Sequence, residues 1–155
     1  MHCTSFECKA ALRAATFNLK DFFVYPVPKE LWRIIDALYE RGLDERDLFM
    51  ARGDPDEICR VRECLDNGTA FEKVGVHSMA QVLTSFLSNL STPIVPESLF
   101  PTQDIDAQNI QAFTRQFLED MLPVPYNVFI YIISFFREVL LHKQRNRLSP
   151  AKVAR

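Results

Sequence analysis

Glycine is scarce in this chain: there are four in 155 residues, against thirteen phenylalanines. So few flexible positions exclude a loop-rich or low-complexity polypeptide and point to bulky side chains around one core. Tryptophan occurs once, at Trp32. Acid is missing from the end: after Glu138 come Lys143, Arg145, Arg147, Lys152 and Arg155, and no Asp or Glu. A solvated basic surface is the plain reading, a phospholipid-binding patch the alternative. Net charge is only −2, so nothing global points to nucleic acid or an anionic membrane as partner.

Cysteine is sparse and wrongly spaced for metal. Cys3 and Cys8, like Cys59 and Cys64, stand five apart rather than at zinc-knuckle or redox spacing. On a helix the second pair would lie about 140° apart, on different faces. His2, His77 and His142 show no ligand spacing and read as surface or capping residues. No cofactor or metal is therefore expected. Long apolar runs are also lacking. No signal-type segment opens the chain, and Val128 to Phe136 is broken at Arg137, short of the ~20 residues of a membrane span. These features predict a soluble, cytoplasmic chain in a reducing compartment, without a transmembrane segment.

What is present is helical periodicity punctuated by proline. Leu31, Ile34, Ile35 and Leu38 form one face, with Pro28 suited to the first turn. Ile58, Val61 and Leu65 form a second, opened by Asp54 as cap and Pro55 as first helical residue. Met79, Val82, Leu83, Phe86, Leu87 and Leu90 make the cleanest stripe, with Ser78 read as its cap. Ile110, Phe113, Phe117 and Met121 give a fourth. Val128 to Leu141 is apolar almost all round, which predicts a central helix covered on several sides. No segment alternates with period two, so the fold class is all-α. At 155 residues one domain is expected.

The two ends read differently. Residues 1–25 carry Phe17, Phe22 and Phe23 without a clear place, and are either an added helix or a remnant of a preceding domain. Ser149-Pro150 is a helix start with only five residues after it. It is either a disordered tail or a helix cut short.

From Val27 to Ala154 the order of motifs resembles a Rho-GAP domain. Val27-Pro28-Lys29-Glu30-Leu31-Trp32 looks like its first core helix, and Asp47-Leu48-Phe49-Met50-Ala51-Arg52-Gly53 like its finger loop. His77-Ser78-Met79-Ala80 running to Leu90-Ser91-Thr92-Pro93-Ile94 looks like its long central helix. Leu122-Pro123 with Asn127-Val128-Phe129 resembles the next helix start, and Asn146-Arg147-Leu148 the loop beyond. Within the family the chain is most similar to the Rho-GAP-like domain of the type II inositol polyphosphate 5-phosphatases. The resemblance implies a helical bundle over 26–155, truncated at its C-terminal end, with the phosphatase domain absent.

Active members of this family insert one arginine into a GTPase site, where it stabilises transition-state charge and is worth roughly 10³–10⁵ in rate. Here that position is Met50, which carries no charge. The central-helix cations that support the finger fall at Thr84 and Ser88, and a late asparagine falls at Lys152. The resemblance therefore implies a dismantled site rather than one missing group. Arg52, two residues on, is the candidate for a displaced finger. Trp32 and Tyr39 lie about 80–100° round the first helix from Leu31, on its flank. From the residues alone this flank packs peripherally. In the family the matching tryptophan lines a pocket for short Phe-and-His peptides of endocytic adaptors.

The expected function is thus an inactive interaction domain for adaptor peptides and, near Met50, for Rac-like Rho-family GTPases. Through such partners it would reach endosomes or membranes. An active GTPase activator using Arg52, or a fragment without independent function, are the alternatives.

Overall fold

The computed structural model describes residues 27–101 and 104–153. The N-terminal extension read over 1–25 lies outside the described residues. Among the described residues all regular structure is helical, as the periodicity predicted. The helices are α1 (Lys29–Arg41), α2 (Pro55–Asn67), α3 (Val76–Ser88), α4 (Ile110–Asp120), α5 (Pro123–Leu141), α6 (Lys143–Asn146) and α7 (Pro150–Val153), with one 3₁₀ turn at Glu97–Leu99.

The core forms where the apolar stripes meet. Leu31, Ile34, Ile35 and Leu38 of α1 are fully buried, as are Val61 of α2 and Met79 of α3. Val82, Leu83 and Phe86 of α3 join them with Val128, Ile132, Phe135 and Val139 of α5. The loop after α2 is pinned across α1 by two arginines. Arg33 donates to the carbonyls of Cys64 and Thr69, and Arg41 to those of Phe71 and Val74. A guanidinium offers five fixed donors, enough to satisfy helix-end carbonyls and a loop together.

Helix starts follow the proline and Asx signals, with two corrections. Asp54 caps α2 as expected, its Oδ1 accepting from the amides of Asp56 and Glu57. Pro28, however, is the N-cap of α1 rather than a residue of its first turn. Ser78 does not cap α3, which begins at Val76 behind Gly75. Its hydroxyl donates instead to Glu57 Oε2 at 2.7 Å, a tertiary use that outcompetes local capping.

The expected all-round burial of α5 is also corrected. One stripe is buried, while Ile133 is 48% and Leu141 64% exposed. At 19 residues α5 is, by length and composition, long enough to cross a bilayer, unlike the shorter run read from sequence. Its buried stripe belongs to the common core, and Arg137 and Glu138 interrupt its apolar surface. α4 is peripheral. It has no buried residue and leans on α5 through Phe117, whose ring meets Phe129 edge-on at 5.4 Å.

Candidate functional site

The segment between α1 and α2 folds into a tight loop held at both ends. At its first end Asn146, fully buried, donates from Nδ2 to Leu43 O at 2.9 Å and to Val139 O at 2.6 Å. Its Oδ1 accepts from Leu148 N at 2.9 Å, and its own carbonyl accepts from Asp47 N at 3.1 Å. One side chain thus ties the loop to the end of α5 and to the chain beyond. Asp47 sits at φ 51°, a left-handed conformation that Asp tolerates better than most residues. Its carbonyl accepts from Met50 N at 2.7 Å and Ala51 N at 3.0 Å, closing the turn.

Charged groups reinforce this end. Asp44 accepts from Arg145 Nη1 at 2.7 Å and faces His142 Nδ1 at 2.5 Å. The His142 hydrogen bond, then that of Arg145, holds the Asp44 carboxyl below the usual carboxylate range. Glu45 meets His77 Nε2 of α3 at 3.4 Å. The imidazole Nδ1 of His77 is buried and has no hydrogen-bond partner among the described residues.

The second end is anchored on α3. A Cβ at Gly53 would lie 2.5 Å from Ser78 Cα, so only glycine lets the loop pass this close. Gly53 N donates to Gln81 Oε1 at 2.8 Å and Asp54 N to Ser78 Oγ at 3.1 Å. Glu57 closes the cluster by accepting from Ser78 and from Gly75 N at 2.9 Å. Those two hydrogen bonds, Ser78 first, lower the Glu57 carboxyl.

This frame presents Met50 at the loop's apex, 45% exposed. Phe49 beside it turns inward, its ring 5.3 Å from Phe136 and 6.2 Å from Phe135. Arg52 is exposed, and no carboxylate among the described residues pairs with it. Thr84 and Ser88 follow each other at i and i+4 on α3. Each hydroxyl folds back on its own helix, Thr84 to Ala80 O at 3.0 Å and Ser88 to Thr84 O at 2.9 Å. Lys152 does reach the loop: its Nζ lies 3.4 Å from Asp47 Oδ1 and 3.2 Å from Arg147 O. Arg52 is thus an exposed cation two residues from Met50, whereas the Lys152 ammonium is engaged with the loop itself.

Trp32 and Tyr39 stand apart from the apex. Trp32 is 51% exposed on α1. Tyr39 is half-buried, its ring edge-on to Phe135 at 5.1 Å. Thus Phe135 underlies both the loop's Phe49 and the flank's Tyr39. Sequence reasoning passed over Asn146, Ser78 and Glu57 as parts of the site. For Asn146 the available signal was the residue type alone, since Asn near a turn often bonds backbone.

Comparison with known proteins agrees with the fold. The RhoGAP domain model matches residues 28–155. The chain is similar to the type II inositol 1,4,5-trisphosphate 5-phosphatase of Mus musculus, 31% identical over 123 residues that cover 79% of this chain and 12% of that protein. It is also similar to Rho GTPase-activating protein 24 of Mus musculus, 25% identical over 82% of this chain and 18% of that protein. The chain thus spans less than a fifth of either relative's length. Among solved structures, human Rho GTPase activating protein 15 superposes with a TM-score of 0.67 at 18% identity, covering 79% of this chain and 63% of that one. On the extent of the family match and the likeness of its helices, this chain belongs to the RhoGAP domain family.

Proposed function

We propose that this domain is a catalytically inactive Rho-GAP-like binding module. The observation that carries this reading is the apex of the loop. The frame that would hold an arginine finger is hydrogen-bonded at both ends, yet it presents the uncharged Met50. The hydroxyls of Thr84 and Ser88 are spent on their own helix and are too short to replace supporting cations. A finger must place its charge within about an ångström of the reacting group. Arg52 lies two residues off that position, which re-aims its side chain.

Two surfaces remain for binding. The loop around Met50 is the face offered to a Rac-like Rho-family GTPase, and the exposed Trp32 is the anchor for endocytic adaptor peptides. Relatives named as Rho GTPase-activating proteins support the first. The domain would act in the cytoplasm and reach endosomal membranes through these partners.

Single-turnover GTP hydrolysis with a Rac-type GTPase tests the inactivity. Saturating wild-type domain is expected to leave the intrinsic rate unchanged within about twofold, against the roughly 10³–10⁵ of an active finger. A clear acceleration that disappears in Arg52→Ala would establish the enzyme reading instead. For the second surface, titration of adaptor peptides is expected to show Trp32→Ala weakening binding by more than tenfold, about 1.4 kcal/mol or more. Equal affinities would sink the peptide assignment.

A further inference from the structure

The start of α7 carries a pattern that neither the Met50 loop nor the α1 flank uses. Ser149 is followed by Pro150, Ala151 and Lys152: a hydroxyl, then a proline, then a cation three residues on. Kinases that require proline after the acceptor read this order. Proline brings no N–H that would need a partner in the kinase cleft, and the cation meets an acidic surface beyond it. The chain has one other Ser or Thr before a proline, Thr92-Pro93, and there Val95 stands in the place of the cation. Thr92 is thus an internal comparison for Ser149.

The fold leaves this hydroxyl available. Ser149 is half-buried between the buried Leu148 and the exposed Pro150 and Ala151. Its Oγ accepts from Lys152 N at a long 3.4 Å and donates to no described residue. α7 is a single turn of four residues, too short to hold by itself, so the motif can extend into a kinase cleft at little cost. Val153, which packs against the core, lies past Lys152. The surroundings are cationic. Past Glu138 the chain has no acidic residue, and Arg147 is exposed and pairs with no carboxylate among the described residues. Lys152 Nζ lies 3.4 Å from Asp47 Oδ1 and 3.2 Å from Arg147 O. The cation of the motif is therefore also the one that touches the Met50 loop. Asp47 in turn closes that loop, its carbonyl accepting from Met50 N and Ala51 N.

We propose that Ser149 is a phosphorylation site for a proline-directed protein kinase, and that its phosphate takes Lys152 from Asp47 and loosens the Met50 loop. In the transfer the Ser149 Oγ–H bond breaks and Oγ bonds to the γ-phosphorus of ATP. ADP leaves, and the proton passes to the base of the kinase. The product carries about −1.5 to −2 charge and three strong acceptor oxygens. Lys152, three residues on and one turn away, is within reach of that dianion, which attracts it more strongly than the single carboxylate of Asp47 does. Asp47, left without its cation, then stands beside a like charge, which repels it. This holds whichever partner the loop serves.

Incubation of the 155-residue chain with ATP, Mg²⁺ and a cyclin-dependent kinase, followed by peptide mass mapping, tests the site. The expected outcome is one phosphoryl group on Ser149, none on Thr92, and none anywhere in Ser149→Ala. Hydrogen exchange then tests the consequence. The amides of Met50 and Ala51 should exchange about two- to fivefold faster in the phosphorylated chain, the range of a partly exposed ion pair. Lys152→Met should show the same acceleration without kinase. An unmodified Ser149 overturns the site. Phosphorylation that leaves exchange at Met50 and Ala51 unchanged overturns the coupling to the loop, and unchanged exchange in Lys152→Met overturns Lys152 as its link.

Discussion

A single methyl added at Gly53 would put a carbon 2.5 Å from Ser78 Cα, a backbone atom that cannot step aside cheaply. Gly53→Ala is expected to cost about 1–3 kcal/mol, as overpacking does elsewhere, and urea unfolding would measure it. Asn146→Ala removes the partner of two carbonyls and one amide in a fully buried site. The expected loss is about 2–5 kcal/mol, with Asn146→Asp no better because its second oxygen cannot donate. An unchanged urea midpoint would refute the anchoring role. At this scale the sequence was only half legible. Gly53 was visible as the last residue of the finger motif, but the close approach to Ser78 that demands it depends on two helices meeting. Asn146 was visible merely as a loop residue, because its partner Leu43 stands 103 positions away in the chain. Met50 is readable as an uncharged side chain without any fold, because charge is a property of the residue type.

The loop between α1 and α2 behaves as an element in its own right, seated in the core by Leu48 and Phe49 and clasped by polar groups at both ends. Asp44 and Glu57 both have carboxyls held below their ordinary values by hydrogen bonds, from His142 and Arg145 in one case and Ser78 and Gly75 in the other. Their contribution to stability is therefore complete above the ordinary carboxylate range of about pH 4 and disappears as pH falls through the lowered values. Urea midpoints are expected to hold from pH 7 to about pH 5 and then decline. Asp44→Asn and Glu57→Gln should each start lower and decline less steeply. A parallel decline in both variants would show that other carboxylates govern the acid transition. Periodicity located α2 well, because its stripe is decided by residues three and four apart. It misread the cap of α3, where Ser78 serves Glu57 across the fold rather than its own helix.

Among the described residues α1, α2, α3 and α5 share one core, but α5 is buried on one side only. Phe135 is fully buried and touches Tyr39, Phe49 and Phe136. Its truncation to Ala is expected to cost about 3–5 kcal/mol and to loosen the loop and the α1 flank together. Ile133→Gln, two residues away on the open side, should change stability by less than about 0.5 kcal/mol. Thermal unfolding of the pair would separate the two faces, and a large loss in Ile133→Gln would show that this face is covered in solution. All-round apolarity suggested a helix enclosed by neighbours, yet composition cannot say how many neighbours arrive. That information lies in topology.

The clasp at Asn146 joins its side chain to a carbonyl 103 positions earlier in the chain. Contacts between α1 and the helices that follow it can form while the polypeptide is still growing. The loop that carries Met50 cannot take its final shape until residues near 146 have emerged and closed back on it. Its order of assembly is therefore the reverse of its order in the sequence: an early segment is completed by a late one. Asn146→Ala should accelerate unfolding while leaving the folding rate nearly unchanged, the kinetic signature of an interaction made after the transition state.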